Sequence, residues 1–462
     1  MVGRSFAVCL VAAVAVIAAD LPNPQILELS TGESREIRLP GGTTHRIGLI
    51  ALEERTEPYY ESANKRTIEA VVEATARLSI DGKSAEVIGG PFRLPTVVHG
   101  LAVLITVTKG WTGGIAKDDL GKDVRLEIQD AKLPWYDANR FVFPIRNYRW
   151  RALNYQHTFL GLAVNQASVY YHRGEDFGML PDRADALATT DGEVGKVPGP
   201  EGDGASNSFY LHAGGLEFRY AHMNTPHILP EMKPGVHVAQ GQKLGLTGNT
   251  WRGRPVRDPH LHVEIRDEAT GKLRNSFPWI VSAYRKSFPG ELLPIAGGWR
   301  NTWAGDTIEL DGSRSLAGTG RKIVAWRWTF TDGTTANGPR ISRKYTVPGT
   351  YSEQLTVRDD RGREDSDFVE VFVLDRNQTQ MPPFTMIYYY PVRGIHAGDE
   401  VEFDIRSNKK GPATIDYGDG EKAQWSETTR HRYTKPGTYI VSLTKPDSGA
   451  GPSVFRSRIV IE

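Results

Sequence analysis

Five side chains stand out for their types and their order along the chain. His172 and Asp176 lie four residues apart in His172-Arg173-Gly174-Glu175-Asp176. His260 and His262 flank Leu261 much later, and the alternation of a strand would place both on one face. His222 lies between the two groups, in Tyr220-Ala221-His222-Met223. A hydrolytic zinc site needs three protein ligands and one coordination position open to water. His172, Asp176 and His262 can supply the ligands. Two nitrogens and one carboxylate leave the ion net positive, and that charge acidifies a bound water and polarises a carbonyl. His222 and His260 can then sit beside the water and the developing oxyanion, because imidazole titrates near neutrality and relays protons at working pH. Glu264 shares the strand face of His260 and His262 and is a candidate support for a ligand. Tyr220 stands two residues before His222 and so shares its face if the strand continues. Its hydroxyl is either an oxyanion or substrate contact or a core group. His212, His227 and His237 read as structural or surface histidines.

These residues must be held by a β-rich scaffold. Eight of the twelve histidines fall between His157 and His262, in a stretch dense in glycine. The chain has 462 residues, which suggests about three domains. Its net charge of +1 and its lack of a basic cluster argue against a nucleic-acid partner. Residues 1–19 read as an export signal, with Arg4 as the positive end, an apolar run from Phe6 to Ile17, and Ala18-Ala19 before the cut. An uncleaved anchor is the alternative. The one cysteine, Cys9, lies inside that run. The mature chain would therefore carry no disulfide, and any metal falls to His, Asp and Glu. No later apolar stretch is long enough to span a bilayer.

Residues 20–139 read as a β-rich accessory module, sandwich-like, with a hairpin around Asp81-Gly82. Within it Ile68, Val71, Val72 and Ala76 fall at helical spacing, which predicts a helix over Glu61–Ala76. Tyr59 and Tyr60 are candidates for a glycan platform. Residues 140–294 form the candidate catalytic domain. Beyond it Tyr345-Thr346-Val347-Pro348-Gly349-Thr350-Tyr351 recurs as Tyr433-Thr434-Lys435-Pro436-Gly437-Thr438-Tyr439, an offset of 88 residues (433 − 345). That period with alternating strands predicts two immunoglobulin-like β-sandwiches, 297–375 and 384–462. With Trp326-Arg327-Trp328-Thr329-Phe330-Thr331-Asp332-Gly333 in the first copy and Asp416-Tyr417-Gly418-Asp419-Gly420 in the second, they resemble PKD domains. Such domains serve as spacers or as contacts with proteins and polysaccharides.

The ordered set around the histidines resembles the lysostaphin/LytM peptidase family. Tyr171–Phe177 is similar to its His-x-Gly-x-Asp opening, Thr190–Val194 to its Asp-Gly strand, Leu216–Met223 to its Tyr-x-His strand, and Pro259–Glu264 to its closing His-x-His strand. The resemblance covers about 141–294. It implies a compact antiparallel β-core with a narrow groove. It also implies one zinc ion on His172, Asp176 and His262, with His222 and His260 catalytic. The substrate class it implies is peptide cross-links of bacterial peptidoglycan, cut by an exported enzyme of the periplasm, cell surface or extracellular space. Two departures stand out. The segment from Thr250 to Pro259 is longer than usual and carries Arg252, Arg254 and Arg257, candidates for substrate carboxylates; Asp258 replaces a glycine. His260 is the first choice for general base and His222 for oxyanion support, with the roles exchangeable. The rival readings are a catalytically silent regulator of the same fold, a polysaccharide-binding adhesion protein, and an enzyme acting on glycine-rich proteins.

Overall fold

The fold is mainly β, as expected, in a computed structural model that describes residues 23–112, 120–154, 157–164, 169–199, 201–256, 258–377, 379–380, 382–445 and 453–462. The expected export signal lies outside the described residues. Among those described, the longest helix is Phe277–Ser287, and no helix is long and apolar enough to cross a membrane.

The N-terminal module is two four-stranded sheets. One runs in the order Gln25–Leu29, Val124–Asp130, Leu101–Thr108, Thr96–Val98. The other runs Ser34–Arg38, Thr44–Glu61, Arg66–Ile80, Lys83–Gly89. Both contribute to one core, with Leu29, Ile47, Leu78, Ile105 and Leu126 fully buried. The expected hairpin is present: Ser79 pairs with Ser84 and Ile80 with Lys83 around Asp81 and Gly82, both at positive φ. The expected helix is not. Arg66–Ile80 is a strand, with Ala74, Ala76, Leu78 and Ile80 buried at period two. The register with the neighbouring strand shifts at Val72: Arg55 pairs with Glu73, but Thr56 pairs with Val71. One extra residue in a strand breaks the alternation, and this bulge imitates helical spacing. Tyr59 and Tyr60 are 2% and 3% exposed, and Tyr60 Oη donates to the Thr379 carbonyl at 2.6 Å, so neither offers a sugar-stacking face.

The central region is an antiparallel sheet in the order Glu175–Gly178, His260–Asp267, Leu216–Ala221, Phe209–Ala213, Gly192–Val194, His237–Val238, with Leu273–Arg274 paired to the outer end of the second strand. Its core face is apolar, with Phe177, Phe209, Leu211, Phe218, Leu261 and Val263 buried. The helix Phe277–Ser287 adds Trp279 and Tyr284 to the same core.

The two C-terminal sandwiches repeat one another in detail. Tyr351 Oη donates to the Val347 carbonyl at 2.8 Å and packs 4.6 Å from Tyr345. Tyr439 Oη donates to the Lys435 carbonyl at 2.9 Å and packs 4.6 Å from Tyr433. The first copy centres on buried Trp328, Leu355 and Val371. The second is not held away on a stalk. Its Tyr388, Tyr389 and Val392 join the central region's Tyr148 and Trp150 in one continuous core. Arg393 clamps this contact, donating to both oxygens of Glu291 at 2.6 and 2.9 Å and to the Tyr148 carbonyl at 3.2 Å.

Candidate metal centre

Strand pairing assembles the centre. Asp176 and His262 are direct partners across neighbouring strands, so their side chains rise from one face of the sheet. His260 pairs with Gly178, where no opposing side chain competes for space. His172 precedes the strand and is held by its own backbone: its N–H donates to the Gly161 carbonyl and its carbonyl accepts from Leu160, each at 2.8 Å. The glycine between His172 and Asp176 has a steric reason. A Cβ on Gly174 would stand 2.3 Å from the Val263 carbonyl oxygen and 3.0 Å from His262 Cε1. Gly248 plays the same part for His222, whose carbonyl oxygen would lie 2.4 Å from an added Cβ.

Three lone-pair atoms converge. His172 Nε2 lies 3.0 Å from His262 Nδ1 and 3.0 Å from Asp176 Oδ1, and the latter two are 2.8 Å apart. All three residues are buried, and together they form a group able to hold a metal ion. A tetrahedral zinc with bonds of ~2.0–2.1 Å spaces its ligands by about 3.3 Å, close to this triangle. The donor set fits: one carboxylate and two imidazoles present acceptors to a common point, and a single proton cannot satisfy all three edges. Burial alone would raise the Asp176 carboxyl, but the imidazoles of His172 and His260 and hydrogen bonds from His172 and His262 hold it well below the usual carboxylate range.

The remaining groups set the tautomers. Glu264 Oε2 is 3.3 Å from His262 Nε2 and can hold that nitrogen's proton, so that Nδ1, which faces Asp176, would be the nitrogen free to meet a metal. Glu264 in turn accepts from Arg219 Nη1 at 3.0 Å and Arg266 Nε at 2.9 Å. Burial pushes its carboxyl up, but His262 and the two guanidinium groups outweigh this and hold it ionised. His260 Nδ1 donates to the Asp258 carbonyl at 2.6 Å, and His222 Nδ1 donates to the Thr250 carbonyl at 3.1 Å. Each therefore turns an Nε2 lone pair inward. The two rings stand 4.4 Å apart, and His260 Nε2 is 3.4 Å from Asp176 Oδ1. The substitution of Asp258 for glycine thus leaves a turn whose carbonyl orients His260.

Tyr220 is the exception to the expected set. It is fully buried and pairs across the strand with Val263 on the core side. Its hydroxyl accepts from the Thr189 N–H at 2.8 Å and bonds the Thr189 hydroxyl at 2.7 Å. Its hydroxyl is therefore tied into the core, the other reading its position allows. The shared face inferred from its spacing fails because His222 lies past the strand end at φ 69°, which turns its ring away from the alternation. Arg252 and Arg254 are exposed on a small hairpin in which Thr250 pairs with Pro255 and Trp251 with Arg254; Arg257 lies outside the described residues. Two neighbours carried no motif in the sequence. His157 packs 5.8 Å from His172 and 4.7 Å from Trp299. Trp251, 43% exposed, stands 5.7 Å from the His222 ring.

Comparison with known proteins gives matches by region. Residues 170–275 match peptidase family M23, and residues 293–373 and 385–460 match the PKD domain. Among curated proteins, collagenase ColA of Bacillus cereus is 38% identical over 69 residues, which is 15% of this chain and 7% of the collagenase. The chain thus spans a small fraction of that relative's length. Among solved structures, the catalytic domain of the antimicrobial peptidase lysostaphin from Staphylococcus simulans is 22% identical, with 29% of this chain and 93% of that one covered and a TM-score of 0.23. Helicobacter pylori Csd3 is 13% identical, with 55% and 82% covered and a TM-score of 0.25.

Proposed function

We propose that this chain, which carries an M23 peptidase domain followed by two PKD domains, is an exported zinc endopeptidase that hydrolyses peptide cross-links of bacterial peptidoglycan. The observation that supports this most is the convergence of His172, Asp176 and His262 on one point. A zinc ion held by these three would supply Lewis-acid polarisation of the scissile carbonyl and acidification of the attacking water.

The chain's own groups account for the rest. His260, its Nδ1 proton tied to the Asp258 carbonyl, offers Nε2 to take a proton from the attacking water and pass it to the leaving amine. His222, fixed by the Thr250 carbonyl, stands across from it to orient the water or steady the oxyanion. Glu264 keeps His262 in the ligating tautomer. The hairpin carrying Trp251 forms a rim beside His222, and its exposed Arg252 and Arg254 suit the carboxylates of stem peptides. The PKD domains supply further contacts with protein or polysaccharide.

The assignment is tested by two substitutions read with two measurements. His260→Ala is expected to keep its zinc by elemental analysis and to lose turnover of purified peptidoglycan. His262→Ala is expected to lose both. Full activity of either variant, or clearing of peptidoglycan by the native chain undiminished by a chelator, would overturn the reading. Mass spectrometry of fragments released from defined peptidoglycans identifies the bond cut.

A further inference from the structure

Beside His157, which packs against His172, lies a cavity where three parts of the chain meet. The N-terminal module lines it with Arg55 and Glu73, the peptidase region with Arg151 and His157, and the first PKD domain with Arg300 and Arg314. It encloses about 70 Å³, room for a few waters or one small oxyanion.

Three of its four arginines have carboxylate partners. Arg55 Nη1 donates to Glu57 at 3.1 Å, Arg151 Nη2 to Asp367 at 2.8 Å, and Arg300 Nε to Glu57 at 2.7 Å. Arg314 differs. Its Nη2 donates only to the Asp311 carbonyl, at 3.1 Å. Its Nε is sealed from solvent with no acceptor, and it makes no ion pair among the described residues. The nearby acids are engaged elsewhere. Glu73 accepts from Arg93 at 2.6 Å, and Asp367 accepts from Arg151 and from the Ala296 N–H. Burial holds the remaining wall acid, Glu370, at about 8 against hydrogen bonds from Asn154 and Trp299. At neutral pH it is a carboxylic acid, so it is a donor and not a counter-ion. Burial, then the cations of Arg93 and Arg300, push Arg314 down to about 10 against the opposing charges of Asp311 and Glu73, which still leaves it charged.

A guanidinium with no direct ion pair, whose nearest carboxylates, Asp311 and Glu73, also serve Arg340 and Arg93, gains from a further anion beside it. The guanidinium fork matches the paired oxygens of a carboxylate or phosphate. We infer that this junction cavity is an anion site, taking a small oxyanion against Arg314 and Arg300: either inorganic phosphate or the terminal carboxylate of a short peptide. An anion there touches the N-terminal module, the peptidase region and the first PKD domain together, and so fastens their docking. The inference rests on the cavity and not on the hydrolase reading.

Thermal unfolding of the full chain tests it, with phosphate, acetate and N-acetyl-D-alanine titrated separately at ionic strength held constant with sodium chloride. At least one of the three is expected to raise the Tm saturably, and the pattern among them tells a phosphate site from a peptide-carboxylate site. In Arg314→Gln the apparent Kd for that anion is expected to weaken about tenfold or more, with Arg314→Lys intermediate. Should Arg314→Gln fail to fold, Arg314→Lys against the native chain carries the comparison. A Tm that follows only ionic strength, or an unchanged Kd in the variants, would overturn the inference. Peptidoglycan turnover plays no part in this readout, so its failure is separable from failure of the hydrolase assignment.

Discussion

Glu264→Gln isolates what the buried carboxylate beside His262 does. The native side chain holds three groups at once: His262 Nε2 at 3.3 Å, Arg219 Nη1 at 3.0 Å and Arg266 Nε at 2.9 Å. Glutamine keeps the shape and one acceptor oxygen but loses the charge that would make Nδ1 of His262 a strong ligand in the proposed zinc site. Loss of such an outer partner typically weakens metal affinity by about 10–100-fold, which is ~1.4–2.7 kcal/mol. The structural cost is separate. Breaking a buried ion pair can cost ~3–5 kcal/mol, but both arginines keep other acceptors: Arg219 Nε donates to Ser208 Oγ at 2.8 Å and Arg266 Nη1 to the Gly271 carbonyl at 3.1 Å. Their side chains are also 14% and 28% exposed, so the loss in the metal-free protein is expected nearer ~1–2 kcal/mol. Competition with a chromophoric chelator gives the zinc affinity, and urea unfolding in EDTA gives the metal-free stability. If stability falls while zinc affinity stays at its native value, Glu264 is only a counter-ion for the arginines and does not orient His262.

Two further substitutions probe the scaffold. Gly174→Ala places a methyl 2.3 Å from the Val263 carbonyl, so the Glu175 and Val263 backbones must part; a loss of ~2 kcal/mol or more and of bound zinc is expected, and native melting with full zinc occupancy would contradict it. Glu370→Gln tests pH dependence. The folded chain holds that carboxyl at about 8, above the ordinary 4.5. The folded state therefore keeps a proton that the unfolded chain releases, and native stability falls as pH rises from about 4.5 to about 8, then levels. The neutral variant escapes this fall, so its advantage should be small at pH 4 and largest near pH 9, with a ceiling of ~5 kcal/mol. Parallel urea-unfolding profiles for the two chains from pH 4 to 9 would refute the buried-acid assignment.

The candidate site was legible where motif spacing and strand pairing coincide. His-x-Gly-x-Asp and His-x-His each lie on or beside one of two paired strands, so the Asp176–His262 register brings both motifs together. What stayed hidden depends on geometry that no local pattern encodes. The φ of 69° at His222 detaches its ring from the face of Tyr220. The bulge at Val72 turns a strand's period into a helix's. His157 reaches His172 and Trp299 only because the two loops are folded against each other, and a lone histidine outside a motif carries no sign of that. The repeat at 88 residues was visible because each copy needs the same tyrosine pair, whereas the place where the second copy docks was not.

That docking changes how the C-terminal half of the chain should be understood. A spacer domain buries its own core and shows a polar surface to its neighbours, so removing it leaves the enzyme intact. Here the buried aromatics Tyr148 and Trp150 of the peptidase region and Tyr388 and Tyr389 of the second PKD domain belong to one cluster. Backbone and charge reinforce the seam. The Arg458 N–H donates to the Ala152 carbonyl at 2.9 Å, Asn154 Oδ1 accepts from the Ile387 N–H at 2.7 Å, and Arg406 Nη1 reaches the Val256 carbonyl at 3.3 Å, just past the hairpin beside the candidate metal centre. Exposing several large aromatics together forfeits ~1.5–3 kcal/mol for each, a sum comparable to the whole stability of an ordinary domain. The peptidase region and the second PKD domain are therefore expected to unfold as one cooperative unit. On this view the hairpin beside His222 is held from outside the region that matches the peptidase family, and the second PKD domain serves here as a wall of that region more than as a tether.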